Sequence, residues 1–151
     1  MTRLPQELVT QIIADPTDYL SAAKVRDLLN GKKTGEGRIL DVVSRRHLVD
    51  ALISAAFERG PNNAIMFALA AAGDPVSVPV FWKAIVTYCL DEEWETVILN
   101  SMEGLKLIEI MYSGTVERAQ FEFVLLNGAT NRLREKAQED IAELWPFDDA
   151  S

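Results

Sequence analysis

The chain has 151 residues, of which 48% are hydrophobic and 25% charged. These values are typical of a folded globular protein and argue against disorder. The formal net charge of −8 argues against binding to nucleic acid or to an anionic membrane, because both attract basic surfaces. No stretch approaches the roughly 20 apolar residues of a membrane span, and no signal peptide is recognisable. Because the single cysteine, Cys89, cannot form an intramolecular disulfide, we expect a cytoplasmic protein.

Glycine, proline and asparagine, which favour turns, divide the chain into segments of helix length. Apolar spacing within them predicts helices, in chain order, over residues 5–14, 19–29, 39–59, 64–72, 77–90, 91–103, 105–112, 115–127 and 130–144. The two best strand candidates, residues 38–43 and 76–80, are short, and Pro79 disfavours the second one. The sequence thus predicts an all-α protein with eight or nine helices and one domain over residues 1–151, of which 145–151 form a loosely ordered tail.

The segment Ala72-Gly73-Asp74-Pro75-Val76-Ser77-Val78-Pro79-Val80-Phe81 resembles the inter-helix turn and second-helix start of HEAT-type repeats. Gly73 would permit the tight turn, Asp74 would cap the next helix, and Pro79 lies where a first turn needs no backbone donor. A weaker likeness is Leu133-Arg134 followed by Ala137 and Ile141. Gly73 and Gly114 are 41 residues apart, within the period of about 40–47 residues of such repeats.

The resemblance implies antiparallel helix pairs stacked into a short α-solenoid. The alternative is an irregular helical bundle without repeat ancestry, because Asp74 and Asn131 are 57 residues apart and do not share one register. The order of the helices alone does not decide between the two.

The residue types that most catalytic and metal sites need are scarce in this chain. His47 is the only histidine and Cys89 the only cysteine, so we predict no metal, no cofactor and no enzymatic activity. His47 is interpreted as a surface or capping residue and Cys89 as a buried thiol. The loop Gly31–Gly37 has the wrong spacing for a phosphate-binding loop, so we expect a mobile basic loop, with function left open.

Negative charge is concentrated in the C-terminal part of the chain. Residues 1–90 contain 9 acidic and 10 basic residues, whereas residues 91–151 contain 14 and 5. The most distinctive cluster is Asp91-Glu92-Glu93-Trp94-Glu95, either a solvated helix start with an inward Trp94 or an acidic rim around an aromatic anchor. Tryptophan is enriched in the energetic centres of protein interfaces. The candidate protein-binding residues are therefore Asp91, Glu92, Glu93, Trp94, Glu95, Glu103 and Glu122, which Glu109 and Glu117 would extend if their helices face the same side.

These features favour a protein-binding module that neutralises a basic partner. Small acidic helical proteins of this kind include bacterial immunity proteins, some of them HEAT-like, so the first candidate partner is the catalytic domain of a toxin. The alternative is a helical adaptor or assembly chaperone without a toxin partner. An enzyme is the third possibility, for which the sequence offers no clustered catalytic residues.

Overall fold

A computed structural model of the chain describes residues 5–15, 17–31 and 39–147. Every regular element in these ranges is helical, which confirms the predicted all-α class and the predicted number of helices. The α-helices are α1 Pro5–Ala14, α2 Tyr19–Leu29, α3 Val42–Arg59, α4 Asn63–Ala72, α5 Val78–Tyr88, α6 Glu95–Met111, α7 Arg118–Asn127 and α8 Asn131–Leu144. Short 3-10 helices, Pro75–Ser77 and Glu92–Trp94, precede α5 and α6.

The chain divides into two compact units, Met1–Ala72 and Gly73–Ser151. In the first unit, α2 packs against α1 and α4, and α3 packs against α4 and α1. In the second unit, α5 packs along α6, α7 along α8, and α6 against α8. Such pairs of consecutive helices occur both in a short solenoid and in a bundle, so the solenoid interpretation stays a prediction. The single domain over residues 1–151 also stays a prediction.

Side-chain caps fix most helix starts of the first unit. Asp18 accepts from the Ser21 N–H at 2.9 Å and starts α2. Asp41 accepts from the Ser44 N–H at 2.7 Å, so α3 begins at Val42 rather than at the predicted Ile39. Each cap satisfies an amide that has no partner inside the helix, and replacing such a cap costs about 1 kcal/mol.

One partly buried arginine ties together the ends of two helices in the first unit. The Arg45 guanidinium donates to the carbonyl oxygen of Leu29 at 3.0 Å and to that of Ala72 at 3.1 Å. These carbonyls lie at the C-termini of α2 and α4, where the helix dipole favours a positive charge. Arg45 therefore joins α3 to both helices.

The turn before α5 has the structure that its sequence predicts. Gly73 has a φ of +62°, a conformation that glycine adopts without strain, and the Asp74 carboxylate accepts from the Val76 N–H at 3.0 Å. Pro79 lies in the first turn of α5. These three local features agree with the sequence prediction, while the resemblance to HEAT-type repeats stays a prediction.

The break that the sequence predicts at Gly104 is wrong, because α6 runs without interruption from Glu95 to Met111. Gly104 lies where α6 crosses α5, and a Cβ atom placed on it would be 2.4 Å from Cζ of Phe81. The glycine therefore serves a close approach of the two helices rather than a turn. The fully buried ring of Phe81 fills the space that a side chain would take.

Within the described ranges, no helix combines the length and the apolar content needed to cross a bilayer. The predicted loop Gly31–Gly37 falls outside the described residues except for Gly31, which follows α2. Of the predicted tail, residues 148–151 also fall outside them. Trp145 follows α8 directly, and its ring packs edge-on against the buried Phe121 ring at 5.7 Å between centroids.

Candidate functional site

The turn between α5 and α6 brings exposed acids next to two stacked aromatic rings. We call residues 88–94 the acidic corner. Asp91 starts the 3-10 helix, and its carboxylate accepts from the Glu93 N–H at 3.2 Å. Glu92 and Glu93 are exposed and form no ion pair with any described residue. The corner therefore presents two free carboxylates to solvent.

Trp94 is held in place by Tyr88, the last residue of α5. The two rings are stacked, with centroids 3.9 Å apart and an angle of 17° between their planes. Both side chains remain partly exposed. The sequence left open whether Trp94 packs inward or forms a surface anchor. In the structure, its ring packs on Tyr88 and is also partly exposed. Tyr88 was not among the predicted site residues, because its role depends on a turn that brings it against Trp94.

Two of the predicted acids, Glu95 and Glu103, form ion pairs with residues of α8. Both lie on the side of α6 that packs against α8. Glu95 pairs with Arg132, with Nη1 3.2 Å from Oε1, and Glu103 pairs with Lys136. Their negative charge is therefore largely compensated within the second unit.

These two ion pairs belong to a row of charges between α6 and α8, which we call the charge ladder. At its buried end, Oδ1 of Asp140 lies 2.7 Å from Lys136 Nζ and 3.5 Å from Lys106 Nζ. Lys106 Nζ also lies 2.7 Å from Oε2 of the exposed Glu143. The members of the ladder are Glu95, Glu103, Lys106, Arg132, Lys136, Asp140 and Glu143.

Burial sets the proton affinity of Asp140, whose side chain is 1% exposed. It raises the pKa of the carboxyl above the ordinary value of 3.8, and the hydrogen bond from Lys136 offsets only part of this rise. Oδ2 of Asp140 has no hydrogen-bond partner among the described residues. Burial lowers the pKa of Lys136, but hydrogen bonds to Asp140 and Glu103 outweigh it, so the net shift is upward. The ladder is thus desolvated at Asp140 and exposed at Arg132, Glu103 and Glu143.

The remaining predicted residue, Glu122, lies on α7 and pairs with Arg118 at 2.8 Å between Oε1 and Nε. Among the described residues, its ion pair is thus within α7 and not with the acidic corner. Glu109 does not extend the acidic surface either. It is buried, and its carboxylate accepts from the N–H groups of Gly114, Thr115 and Val116 at 2.9–3.1 Å. Glu109 therefore holds the loop that follows α6.

The two residues considered for chemistry are His47 and Cys89. His47 is exposed on α3 in the first unit. Cys89 is buried, and this burial raises the pKa of its thiol, which favours the protonated, less reactive form. Among the described residues, no group of three or more His, Cys, Asp and Glu is arranged to hold a metal ion.

Comparison of the chain with protein-family models, curated proteins and solved structures finds no match.

Proposed function

We propose that the chain is a protein-binding module that holds a basic partner at the acidic corner. The observation that carries this proposal is the contrast between Glu92–Glu93 and the other predicted acids. Glu95, Glu103 and Glu122 have cationic partners in the second unit, whereas Glu92 and Glu93 have none among the described residues. Because unpaired charges keep their full attraction for an incoming cation, these two carboxylates are the strongest candidates among the predicted acids for contact with a partner.

The aromatic stack supports the same assignment. Tyr and Trp anchor many interfaces, since they bury a large apolar area and lose little conformational entropy. Trp94 is already ordered by Tyr88 before any partner arrives. An ordered anchor beside free carboxylates would bind a segment that presents Lys or Arg, either in ion pairs or over a ring face.

We further propose that the partner is the catalytic domain of a toxin, which the chain inhibits in the cytoplasm. This part rests on the resemblance of residues 72–81 to HEAT-type repeats and on the existence of HEAT-like immunity proteins. Inhibition by such a protein needs only tight occupancy of the toxin surface. No catalytic group of the chain takes part.

The test is to mix the chain with the product of any toxin gene adjacent to its own gene and to measure binding by calorimetry. We expect a one-to-one complex whose affinity falls as salt rises, because salt screens exposed charges. Neutralising the corner (Glu92→Gln with Glu93→Gln) should weaken binding about tenfold or more and restore toxin activity in an inhibition assay.

The matched control is Glu135→Gln with Glu139→Gln on α8. These two glutamates are also exposed and also lack an ion pair with any described residue, so the net charge changes by the same amount. Equal losses in the two variants would mean that net charge alone attracts the partner, and the assignment to the acidic corner would be wrong. Undiminished affinity in both variants would remove the electrostatic proposal altogether.

A further inference from the structure

We propose that an apolar surface on α5 and α7 docks an amphipathic helix of a partner protein, with apolar residues on one side of that helix and Lys or Arg on the other. This α5/α7 face consists of Trp82, Val86, Leu90, Phe123 and Leu126. The inference rests on the proposed function, because it names the part of the same unit against which a basic partner would place its apolar side.

Two contacts hold the segments of this face side by side. The rings of Trp82 and Phe123 meet edge-on with centroids 5.5 Å apart. About two helical turns further along each segment, the Ala129 N–H donates to the carbonyl oxygen of Cys89 at 3.0 Å. The two segments therefore run alongside each other in the same direction, and Val86 and Leu126 lie at the level between the two contacts.

The side chains at this level are unusually exposed for their type. Leu126 is 79% exposed, Leu90 76% and Val86 49%, whereas Phe121 and Val124 on the other side of α7 are fully buried. A single exposed leucine is ordinary, but grouped apolar side chains next to two partly exposed aromatic rings mark a surface that another molecule covers.

The negative charge beside the α5/α7 face indicates which kind of molecule would bind there. Leu90 is followed directly by Asp91, Glu92 and Glu93, and the last two have no ion pair with a described residue. A second copy of the chain, docked about a two-fold axis, would bring two acidic corners together and would be repelled. A partner with apolar residues and adjacent cations would instead complement both the apolar α5/α7 face and the acids that follow Leu90.

The spacing of the apolar residues favours a helix as the occupant. Val86 and Leu90 are four residues apart, so they follow one ridge of α5 and the turn after it, and Leu126 provides a second ridge on α7. A partner helix that carries its own apolar residues one turn apart matches this spacing.

The experiment uses two synthetic amphipathic helices of about five turns each. One has leucine on one face and lysine on the other, and the second has glutamate in place of lysine. Binding to the full chain is measured by fluorescence anisotropy. We expect the Leu/Lys helix to bind and the Leu/Glu helix to bind at least about tenfold more weakly.

The decisive variant is Leu90→Ser with Leu126→Ser. Both residues are exposed, so the fold should be kept, which circular dichroism and thermal melting verify. Loss of two buried leucine contacts should weaken the Leu/Lys helix about tenfold or more. The control is Ile110→Ser with Met111→Ser, which changes two similarly exposed residues at the other end of α6 and should change affinity less than about twofold.

Unchanged affinity in the leucine variant would overturn the inference. The proposed function would survive that result if the Glu92→Gln, Glu93→Gln variant still bound the Leu/Lys helix more weakly than the wild-type chain does. If that variant bound the helix as well as the wild type, the proposed function would also be wrong. Equal binding of both peptides would exclude a basic partner for this face, and no binding of the Leu/Lys helix would exclude a helical one. If sedimentation showed a dimer of the wild-type chain that the leucine variant abolishes, the occupant would be a second copy, and the inference would again be wrong.

Discussion

At the scale of single residues, Gly104 and Phe81 make a close contact in the second unit that leaves no room for a side chain on the glycine. Both lie in the region where α5 and α6 cross, and the helix accepts glycine there although glycine costs about 1 kcal/mol relative to alanine in a helix interior. The cost is offset by the packing of a fully buried phenylalanine ring against bare backbone. Propensity and packing thus oppose each other at this position, and packing decides.

We predict that Gly104→Ala destabilises the protein despite the gain in helix propensity. The added methyl would overlap the Phe81 ring, and overpacking of this kind costs about 1–3 kcal/mol. Urea denaturation followed by circular dichroism measures the change in the free energy of unfolding. The background Phe81→Leu should reduce the penalty, since the smaller side chain leaves room for the methyl. If Gly104→Ala carries the same penalty in the wild-type and Phe81→Leu backgrounds, the two residues are not coupled and the explanation is wrong.

The same pair shows what could and could not be predicted from the sequence. Helix starts such as those at Asp18, Asp74 and Thr130 depend on hydrogen bonds that span three residues or fewer, so they can be predicted from neighbouring residues. The role of Gly104 depends on a ring 23 positions earlier in the chain, and no local pattern distinguishes a glycine at a helix crossing from one at a turn.

At the scale of elements, the charge ladder explains why the candidate site was predicted only in part. The acidic run from Asp91 to Glu95 is visible in the sequence, and the structure confirms that Asp91, Glu92 and Glu93 are exposed. That Glu95 faces Arg132 follows only from the packing of α6 on α8, which joins positions 37 residues apart. Composition can therefore indicate an acidic region, but it cannot separate acids that pair within the fold from acids that have no ion pair with a described residue.

The charge ladder also makes the stability of the protein depend on pH. The contributions of Asp140 and Glu143 to this dependence have opposite signs. The pKa of Asp140 is raised by burial, so the folded state holds this proton more tightly than the unfolded state does. Between the ordinary value of 3.8 and the raised one, this term makes the protein more stable as pH falls. The pKa of Glu143 is lowered by its hydrogen bond with Lys106, so its contribution is present above 4.5 and is lost as pH falls through the lowered pKa.

We therefore predict that two variants shift the acid branch of the stability curve in opposite directions. Relative to the wild type, Asp140→Asn should lose more stability between about pH 7 and pH 4, because it lacks the stabilising protonation. Glu143→Gln should lose less as the pH falls below about 4.5, because the favourable ion pair that acid would break is already absent. Urea titrations at intervals of about one pH unit measure both slopes. Parallel curves for the wild type and Asp140→Asn would show that Asp140 does not titrate as proposed.

At the scale of the whole molecule, the charge is divided unevenly between the two units. Residues 73–151 contain 15 acidic and 6 basic residues, whereas residues 1–72 contain 8 and 9. Of the basic residues in the second unit, Lys106, Arg118, Arg132 and Lys136 are engaged in ion pairs. The field around this unit is thus negative beyond the acidic corner itself, and it would attract a cationic partner from a distance.

The kinetics of binding to the Leu/Lys helix should distinguish long-range electrostatic attraction, which acts on the association rate, from direct contact, which acts on the dissociation rate. Neutralising Glu135 and Glu139 removes charge at a distance from the docking face, so we predict a lower association rate and a weaker dependence of that rate on salt, with the dissociation rate unchanged. The variant Leu90→Ser with Leu126→Ser removes contacts without removing charge, so it should raise the dissociation rate about tenfold and leave association nearly unchanged. Stopped-flow fluorescence at two or more salt concentrations resolves the two rates. A faster dissociation after loss of Glu135 and Glu139 would show that α8 touches the bound helix, and would place the docking surface on the α6–α8 side of the unit instead.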